Sequence, residues 1–187
     1  MPEPAEPAER FRRFSATFAV RVAQVPQDAW DNPSPCEGWV ARDVVRHLVE
    51  WLPAFFFDRW GLEHPERPSV DDDPAGAWAA VGATVQAALD NPAVAERVAG
   101  DTPMGPISFA AAMEMIGTSD VFLHTWDLAR ATGLDERLDP DEVHRLYVGM
   151  EPQDQLLRQS GHFGPRVAVP DGASEQDRLM AFIGRRP

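Results

Sequence analysis

The sequence predicts an all-α fold: a four-helix bundle with one long crossover and a short helical C-terminal tail. Along four long segments, apolar residues recur at steps of three and four residues, which is the spacing of one helical face. Stretches rich in Pro, Gly, Asn and Asp separate these segments. With 187 residues, 44% of them hydrophobic and 25% charged, the chain has an ordinary globular composition. We expect one domain over residues 1–187, with the bundle at about 5–133 and a C-terminal extension at 134–187.

The first two predicted helices flank a proline-bearing loop. The first helix ends before Pro26, and the loop at residues 27–38 contains Pro33 and Gly38. The second helix covers residues 40–58. The apolar stripe of the first helix consists of Phe11, Phe14, Phe18, Val22 and Val25. One face of the second helix is shared by Val40, Val44, His47, Trp51 and Ala54.

The third and fourth predicted helices are separated by the long crossover. A polar linker at residues 59–73 precedes the third helix, whose apolar face is formed by Trp78, Val81, Val85 and Leu89. We expect residues 91–106 to form an irregular crossover rather than a short extended segment. The fourth helix begins near Pro106 or Ser108 and ends at Gly133, which can adopt the left-handed conformation that terminates helices. Its inward stripe contains Phe109, Met113, Ile116, Asp120, His124 and Leu128.

The C-terminal tail repeats these helix signals. Asp139, Pro140 and Glu142 have the spacing of an N-cap, a first-turn proline and a capping-box acid. Pro152 is then expected to interrupt or kink that helix. Ser174 can cap a final short helix. The extension should therefore add short helices to the bundle.

Two of the inward stripes contain residues that are costly to bury. Asp120 and His124 are four residues apart and stack on one helical face, and His47 lies on the inward face of the second helix. Helix packing could bring the three side chains together, and bundle cores build metal sites from such inward carboxylates and histidines. The residues alone leave two alternatives open. His47 can be a hydrogen-bonded core histidine, and Asp120 with His124 can be an intrahelical ion pair.

Three segments carry a family resemblance: residues 33–39 (PSPCEGW), 42–48 (RDVVRHL) and 120–133 (DVFLHTWDLARATG). They are similar to the signatures of the DinB-like superfamily, in its actinobacterial branch related to the mycothiol-dependent maleylpyruvate isomerase metal-binding domain. The general pattern of that family covers most of the chain. The resemblance implies a DinB-like four-helix bundle.

The resemblance also implies a divalent metal site. In the family, one histidine of the second helix and an acid-x-x-x-His pair of the fourth bind the ion, and these positions fall on His47, Asp120 and His124. The family usually has Glu at the position of Asp120, or His in other branches. Because Asp is one methylene shorter, a direct ligand, a water-mediated ligand and a weak or empty site all stay open. Zinc or nickel is the expected ion.

Other residues near the motifs have two interpretations each. Asp127 matches an acid of the motif and either orients the second histidine or is a surface or packing carboxylate. Cys36 is expected to be a buried packing residue rather than a reactive nucleophile, since nothing basic is clearly placed to ionise it. His162 is expected to be an ordinary loop residue, although it could reach over a cleft. Solvent-facing positions are expected for His64 and His144.

Composition limits the partners of the protein. The net charge of -13 would repel nucleic acid and anionic lipid surfaces. The single cysteine and the lack of a signal-like apolar run near the N-terminus favour a cytoplasmic location, and no apolar run is long enough to span a membrane. We expect a small-molecule substrate or thiol as partner, and a homodimer stays open.

Two classes of function fit these expectations. The resemblance implies a metal-dependent enzyme that uses a low-molecular-weight thiol such as mycothiol for S-transfer or isomerisation. A metal with three protein ligands keeps open positions at which such a thiol can bind. The alternative is a non-catalytic metal-binding or ligand-sensing bundle protein, and the shorter acid Asp120 is the feature that favours it.

Overall fold

Helices dominate the structure, a computed structural model that describes residues 6–159, 161 and 163–187. In chain order they are α1 (Pro7–Gln24), α2 (Ala41–Leu52), α3 (Asp58–Trp60), α4 (Pro74–Asp90), α5 (Pro92–Ala95), α6 (Phe109–Ala112), α7 (Thr118–Thr132), α8 (Pro140–Met150), α9 (Asp154–Gln159) and α10 (Glu175–Phe182). A π-helical turn at Pro53–Phe57 joins α2 to α3, and a second at Met113–Gly117 joins α6 to α7. The predicted all-α class is confirmed. None of the helices within these described ranges is long and apolar enough to cross a membrane.

Four of the helices form the bundle. α1 and α2 each pack against both α4 and α7, so the four surround one apolar core. Within it, Phe18 of α1 and Trp78 of α4 meet edge to face with ring centroids 4.9 Å apart, a favourable aromatic geometry. At the end of α7, Gly133 has φ 70° and is the left-handed terminator that the sequence predicts.

The second predicted helix does not stay α-helical to its end. Pro53 has no N–H to donate, and in a regular helix its ring would clash with the carbonyl one turn earlier. The backbone widens into the first π turn at this residue. The wider turn changes which side chains face inward, so that Ala54 is exposed while Phe56 and Phe57 are buried. The prediction that Ala54 shares the inward face of His47 is therefore wrong.

The two π turns lie against each other. A Cβ added at Gly117, in the second turn, would lie 3.2 Å from Cζ of Phe56 in the first and 2.6 Å from Sδ of Met113. Glycine therefore permits a close approach at this point of the bundle. Apolar periodicity predicts one continuous α-helix up to Gly133, and the second π turn corrects that prediction.

The crossover between α4 and α6 is more ordered than the irregular segment that the sequence predicts. At its start, Asn91 Oδ1 accepts a hydrogen bond from the backbone N–H of Ala93 and caps α5. Strands β1 (Val98–Ala99) and β2 (Ile107–Ser108) then pair in an antiparallel ladder. The ladder satisfies backbone groups where Ala99 packs against the core. The expectation of an irregular crossover is wrong for these residues.

The C-terminal extension covers the outer side of the bundle. α8 and α10 pack on each other, and a second apolar cluster joins them to α1 and α7. α7 is thereby buried on two sides, by the bundle and by the extension. As predicted, Asp139 and Ser174 each accept a backbone hydrogen bond in the first turn of their helices, and Pro152 lies in a 3-10 turn (Glu151–Gln153) that interrupts α8. The cluster consists of Phe14, Phe122, Leu123, Trp126, Val143, Leu146, Leu179, Met180, Phe182 and Ile183.

Glu142 has a different role from the predicted capping-box acid. Its carboxylate is buried and binds the guanidinium of Arg10, from α1, with Nε 3.1 and 3.2 Å from its two oxygens. Arg145 donates to the same carboxylate at 2.8 and 3.0 Å. Arg10 Nη1 also donates to a carboxylate oxygen of Glu114, in the second π turn, at 3.1 Å. A charge network centred on the buried Arg10–Glu142 pair therefore joins α1, the second π turn and α8.

Candidate metal centre

The three predicted metal ligands meet where α2 packs against α7. Nε2 of His47 lies 3.1 Å from Oδ2 of Asp120, and Nε2 of His124 lies 3.5 Å from Oδ1 of the same carboxylate. One donor atom from each residue lies within 4.8 Å of the other two. All three residues that the sequence singles out are thus brought together around one point.

Helix geometry gives the centre a closed side and an accessible side. Asp120 and His124 share a face of α7 because they are four residues apart, and the second π turn ends just before them. The His124 side chain is only 7% exposed, whereas the side chains of His47 and Asp120 are 25% and 28% exposed. The centre is therefore more open to solvent on the side of His47 and Asp120 than on the side of His124.

Two tryptophans frame the imidazoles. The ring centroid of Trp39 lies 5.0 Å from that of His47 and 5.8 Å from that of His124. Trp51 also stacks on His47, with ring centroids 5.7 Å apart and planes inclined by 13°. The helical pattern predicts that Trp51 shares a face with His47, but it does not predict the contact of Trp39 with either imidazole. That contact depends on the loop before α2, which is held by an antiparallel bridge between Pro33 and Val40.

Asp127 lies behind the centre, fully buried. Its Oδ2 accepts a hydrogen bond from Nδ1 of His124 at 2.9 Å. The structure thus places Asp127 as the partner that orients the imidazole and not as a surface carboxylate. Burial would raise the pKa of Asp127, but the hydrogen bonds from His124 and Arg185 lower it to about 2.

Arg185 and Cys36 complete this buried group. Arg185 donates from Nε to Oδ1 of Asp127 at 2.8 Å and from Nη2 to Oδ2 at 3.0 Å. Nη2 also lies 3.1 Å from Sγ of Cys36, whose thiol is 3.4 Å from Asp127 Oδ2. Cys36 is buried, as predicted. The premise that nothing basic lies near it is wrong, because Arg185 comes from a position 149 residues away that no local pattern could indicate.

The electrostatics of the centre favour a positive charge. Burial alone would lower the pKa of His124, but the charge of Asp120 and the hydrogen bond to Asp127 outweigh it and hold the pKa well above the usual 6.5. A site that stabilises an imidazolium can also stabilise a cation that replaces the proton. Two imidazole nitrogens and one carboxylate are ligands that zinc and other late divalent metals accept. The donors present fit such an ion.

A second group of donor atoms is also close enough together to hold a metal ion. It is formed by Cys36, His124 and Asp127. All three residues are buried, and the guanidinium of Arg185 already binds both the thiol and the carboxylate. A cation placed there would meet this fixed positive charge at contact distance. We therefore interpret this group as the support of His124 and not as a metal site.

The remaining histidines lie elsewhere. His64 is exposed and hydrogen-bonds Asp58 at 2.9 Å, and His144 is exposed and pairs with Glu175 at 2.9 Å. Both solvent-facing predictions are confirmed. His162 lies outside the described residues.

Comparison with known proteins gives one family. The family model described as the mycothiol maleylpyruvate isomerase N-terminal domain matches residues 11–129. Two relatives, both described as uncharacterized proteins and coming from two strains of Mycobacterium tuberculosis (CDC 1551 / Oshkosh and ATCC 25618 / H37Rv), are each 29% identical over 184 residues, covering 96% of this chain and 98% of the relative. No solved structure gives a significant match. The chain therefore belongs to the family of the mycothiol maleylpyruvate isomerase N-terminal domain, as its motifs predict.

Proposed function

We propose that this protein binds one divalent metal ion through His47, Asp120 and His124 and uses it, as an enzyme, on a low-molecular-weight thiol. The observation that supports this most directly is the convergence of three donor atoms within 4.8 Å between two packed helices. Asp127 adds support, because its carboxylate accepts from Nδ1 of His124, so that Nε2 is the ring nitrogen directed to a metal. Zinc or nickel is the proposed ion, since mixed nitrogen and oxygen ligation suits both.

The accessible side of the centre suits a thiol partner. Three protein ligands leave coordination positions open, and His47 and Asp120 lie on the side that solvent reaches. A bound divalent ion would supply Lewis acidity, lowering the pKa of a thiol so that the thiolate can attack an electrophile. Trp39 and Trp51 both pack against His47 and would shield that imidazole from water. Mycothiol is the proposed thiol because the family carries that name, and S-transfer or isomerisation is the proposed reaction class.

The test is binding and turnover with a defined thiol. The purified protein is loaded with Zn²⁺ or Ni²⁺, titrated with mycothiol by calorimetry, and then assayed for consumption of thiol-reactive electrophiles. We expect mycothiol to bind the metal-loaded protein and not the chelated protein. A metal-loaded protein that binds no low-molecular-weight thiol would contradict the enzyme proposal.

One feature favours a second candidate, a non-catalytic metal-binding or ligand-sensing protein. Asp120 is a shorter acid than the Glu usual in the family, and its carboxylate already contacts both His47 and His124. A carboxylate drawn toward two imidazoles gives a compact centre that can hold an ion without activating a thiol. Metal binding with thiol binding but without turnover of any electrophile tested would favour this candidate.

A further inference from the structure

We propose that Arg185, which lies beyond the residues matched by the family model, positions the metal ligand His124 by fixing the carboxylate of Asp127. This inference rests on the proposed metal site. Arg185 contacts Asp127 and Cys36, so it acts on the centre through a neighbouring side chain. It is a positioning residue supplied by the C-terminal extension.

The geometry of the contact fixes the plane of the carboxylate. Two guanidinium nitrogens of Arg185 pair with the two oxygens of Asp127, at 2.8 Å and 3.0 Å. Such a two-point pair determines orientation, which a single hydrogen bond does not. The oxygen Oδ2 that Arg185 holds also accepts from Nδ1 of His124 at 2.9 Å. The direction of Nε2 toward His47 and Asp120 therefore follows from the orientation that Arg185 gives to Asp127.

Burial makes the positive charge of Arg185 necessary. The Asp127 side chain is 0% exposed and the Arg185 side chain 18% exposed. An uncompensated buried carboxylate is costly, and a neutral imidazole that ligates a metal supplies no compensating charge. A guanidinium stays protonated in proteins. Arg185 therefore balances Asp127 whatever is bound at Nε2 of His124.

The extension delivers Arg185 through a tight turn after α10. Leu179 and Met180 are fully buried and anchor that helix. Gly184 has φ 92°, and a Cβ there would lie 2.9 Å from Cα of Gly164, so a glycine is required at this position. The backbone N–H of Arg185 donates to the carbonyl of Met180 at 2.9 Å. The turn directs the guanidinium inward to Asp127.

A purely structural role would be that Arg185 only fastens the extension to the bundle. The two roles predict different effects on the imidazole. A fastening residue changes the melting temperature of the protein and leaves the centre unchanged. A positioning residue also changes the proton distribution on His124 and the affinity for metal.

The experiment compares Arg185→Met and Arg185→Lys with Arg186→Met, which makes the same change at the next, exposed residue. Nitrogen-15 NMR of the metal-free protein, at a pH above the pKa of His124, reports which ring nitrogen carries the proton. Competition with a chromophoric chelator gives the Zn²⁺ affinity. We expect Arg186→Met to match the native protein in both measurements. We expect Arg185→Met to lose the single Nδ1–H form and to bind Zn²⁺ about 10 to 100 times more weakly, as is typical when the partner of a ligating histidine is lost.

Arg185→Lys keeps the charge but cannot form the two-point pair, so we expect an intermediate loss of affinity. It also replaces the methionine variant if that variant does not fold. The inference is overturned if the Arg185 variants retain the Nδ1–H form and the Zn²⁺ affinity of Arg186→Met. If the native protein binds no Zn²⁺, the proposed metal site fails, while the NMR comparison still decides whether Arg185 positions His124.

Discussion

Asp120 lies between the two imidazoles and contacts both, at 3.1 Å from His47 and 3.5 Å from His124. The sequence could place these three residues on inward faces because helical periodicity fixes the direction of each side chain. It could not show Arg185 behind them, because that residue is 58 positions from Asp127 and belongs to no recurring pattern. Ligands on regular helices are predictable from spacing, whereas a partner that arrives through tertiary folding is not.

At the level of the ligands, we predict that the three residues contribute unequally. His47→Ala and His124→Ala should each abolish tight metal binding, because each removes a nitrogen donor that no neighbouring side chain can replace. Asp120→Ala should only weaken binding, since water can take the place of its oxygen. Calorimetric titration of each variant with Zn²⁺ measures this, with the exposed His64→Ala as control. If Asp120→Ala lost the metal as completely as the histidine variants, Asp120 would have to be a full direct ligand.

At the level of elements, the helices and their ends were largely predictable, and the departures have local causes. Apolar periodicity predicts the long helices, and the caps at Asp139 and Ser174 predict the starts of two helices in the extension. The sequence does not predict the π turns. A π turn adds one residue to a helical turn, and most of the apolar stripe still faces inward. Apolar spacing that already varies between three and four residues does not reveal such an addition. Pro53 begins the first π turn, but a proline inside a helical pattern indicates a kink as readily as a π turn.

Also at this scale, we predict that the buried pair between α1 and α8 contributes strongly to stability. Glu142→Gln leaves Arg10 buried with a weaker partner and should lower the free energy of unfolding by about 3 kcal/mol at neutral pH. Burial would raise the pKa of Glu142, but hydrogen bonds from Arg145 and Arg10 outweigh it and hold the pKa below the usual 4.5. A pKa lowered by folding gives stability that is present above the unfolded value and is lost as pH falls through the folded value.

The native protein should therefore exceed Glu142→Gln in free energy of unfolding by the whole amount above pH 4.5. This difference should shrink as the pH falls through the lowered pKa of Glu142. Urea unfolding at a series of pH values measures it. Glu151→Gln, at an exposed glutamate, is the matched control and should change stability little. A difference that stayed constant down to acid pH would show that the charge of Glu142 is not its source.

At the scale of the whole molecule, stability comes from two apolar clusters that share α1 and α7 and do not include the metal ligands. Phe11, Phe18, Trp78 and Phe109 are fully or almost fully buried in the bundle core. In the absence of metal, His47 and His124 both still have Asp120 as a partner. Emptying the centre therefore leaves no stranded buried charge.

We therefore predict that the metal-free protein stays folded and that metal raises its melting temperature. At a free metal concentration about 100 times the dissociation constant, metal binding should raise the free energy of unfolding by about 2.7 kcal/mol. Circular dichroism and thermal melts before and after chelation check this, and His124→Ala should show no metal-dependent shift. A chelated sample without helical signal at room temperature would mean that the ion is structural, which would remove the main support for an open catalytic site.

The contact between Arg185 and the buried thiol of Cys36 has a practical consequence. The chain has one cysteine, its side chain is buried, and the guanidinium of Arg185, from the C-terminal turn, contacts its sulfur. We expect an alkylating reagent to reach the buried sulfur mainly when that turn detaches, so the alkylation rate under native conditions should report the free energy of this local opening. We expect slow modification of the native protein and faster modification of Gly184→Ala, whose turn is strained, with mass spectrometry as the readout. The buried thiol thus serves as a built-in reporter of how firmly the extension is held.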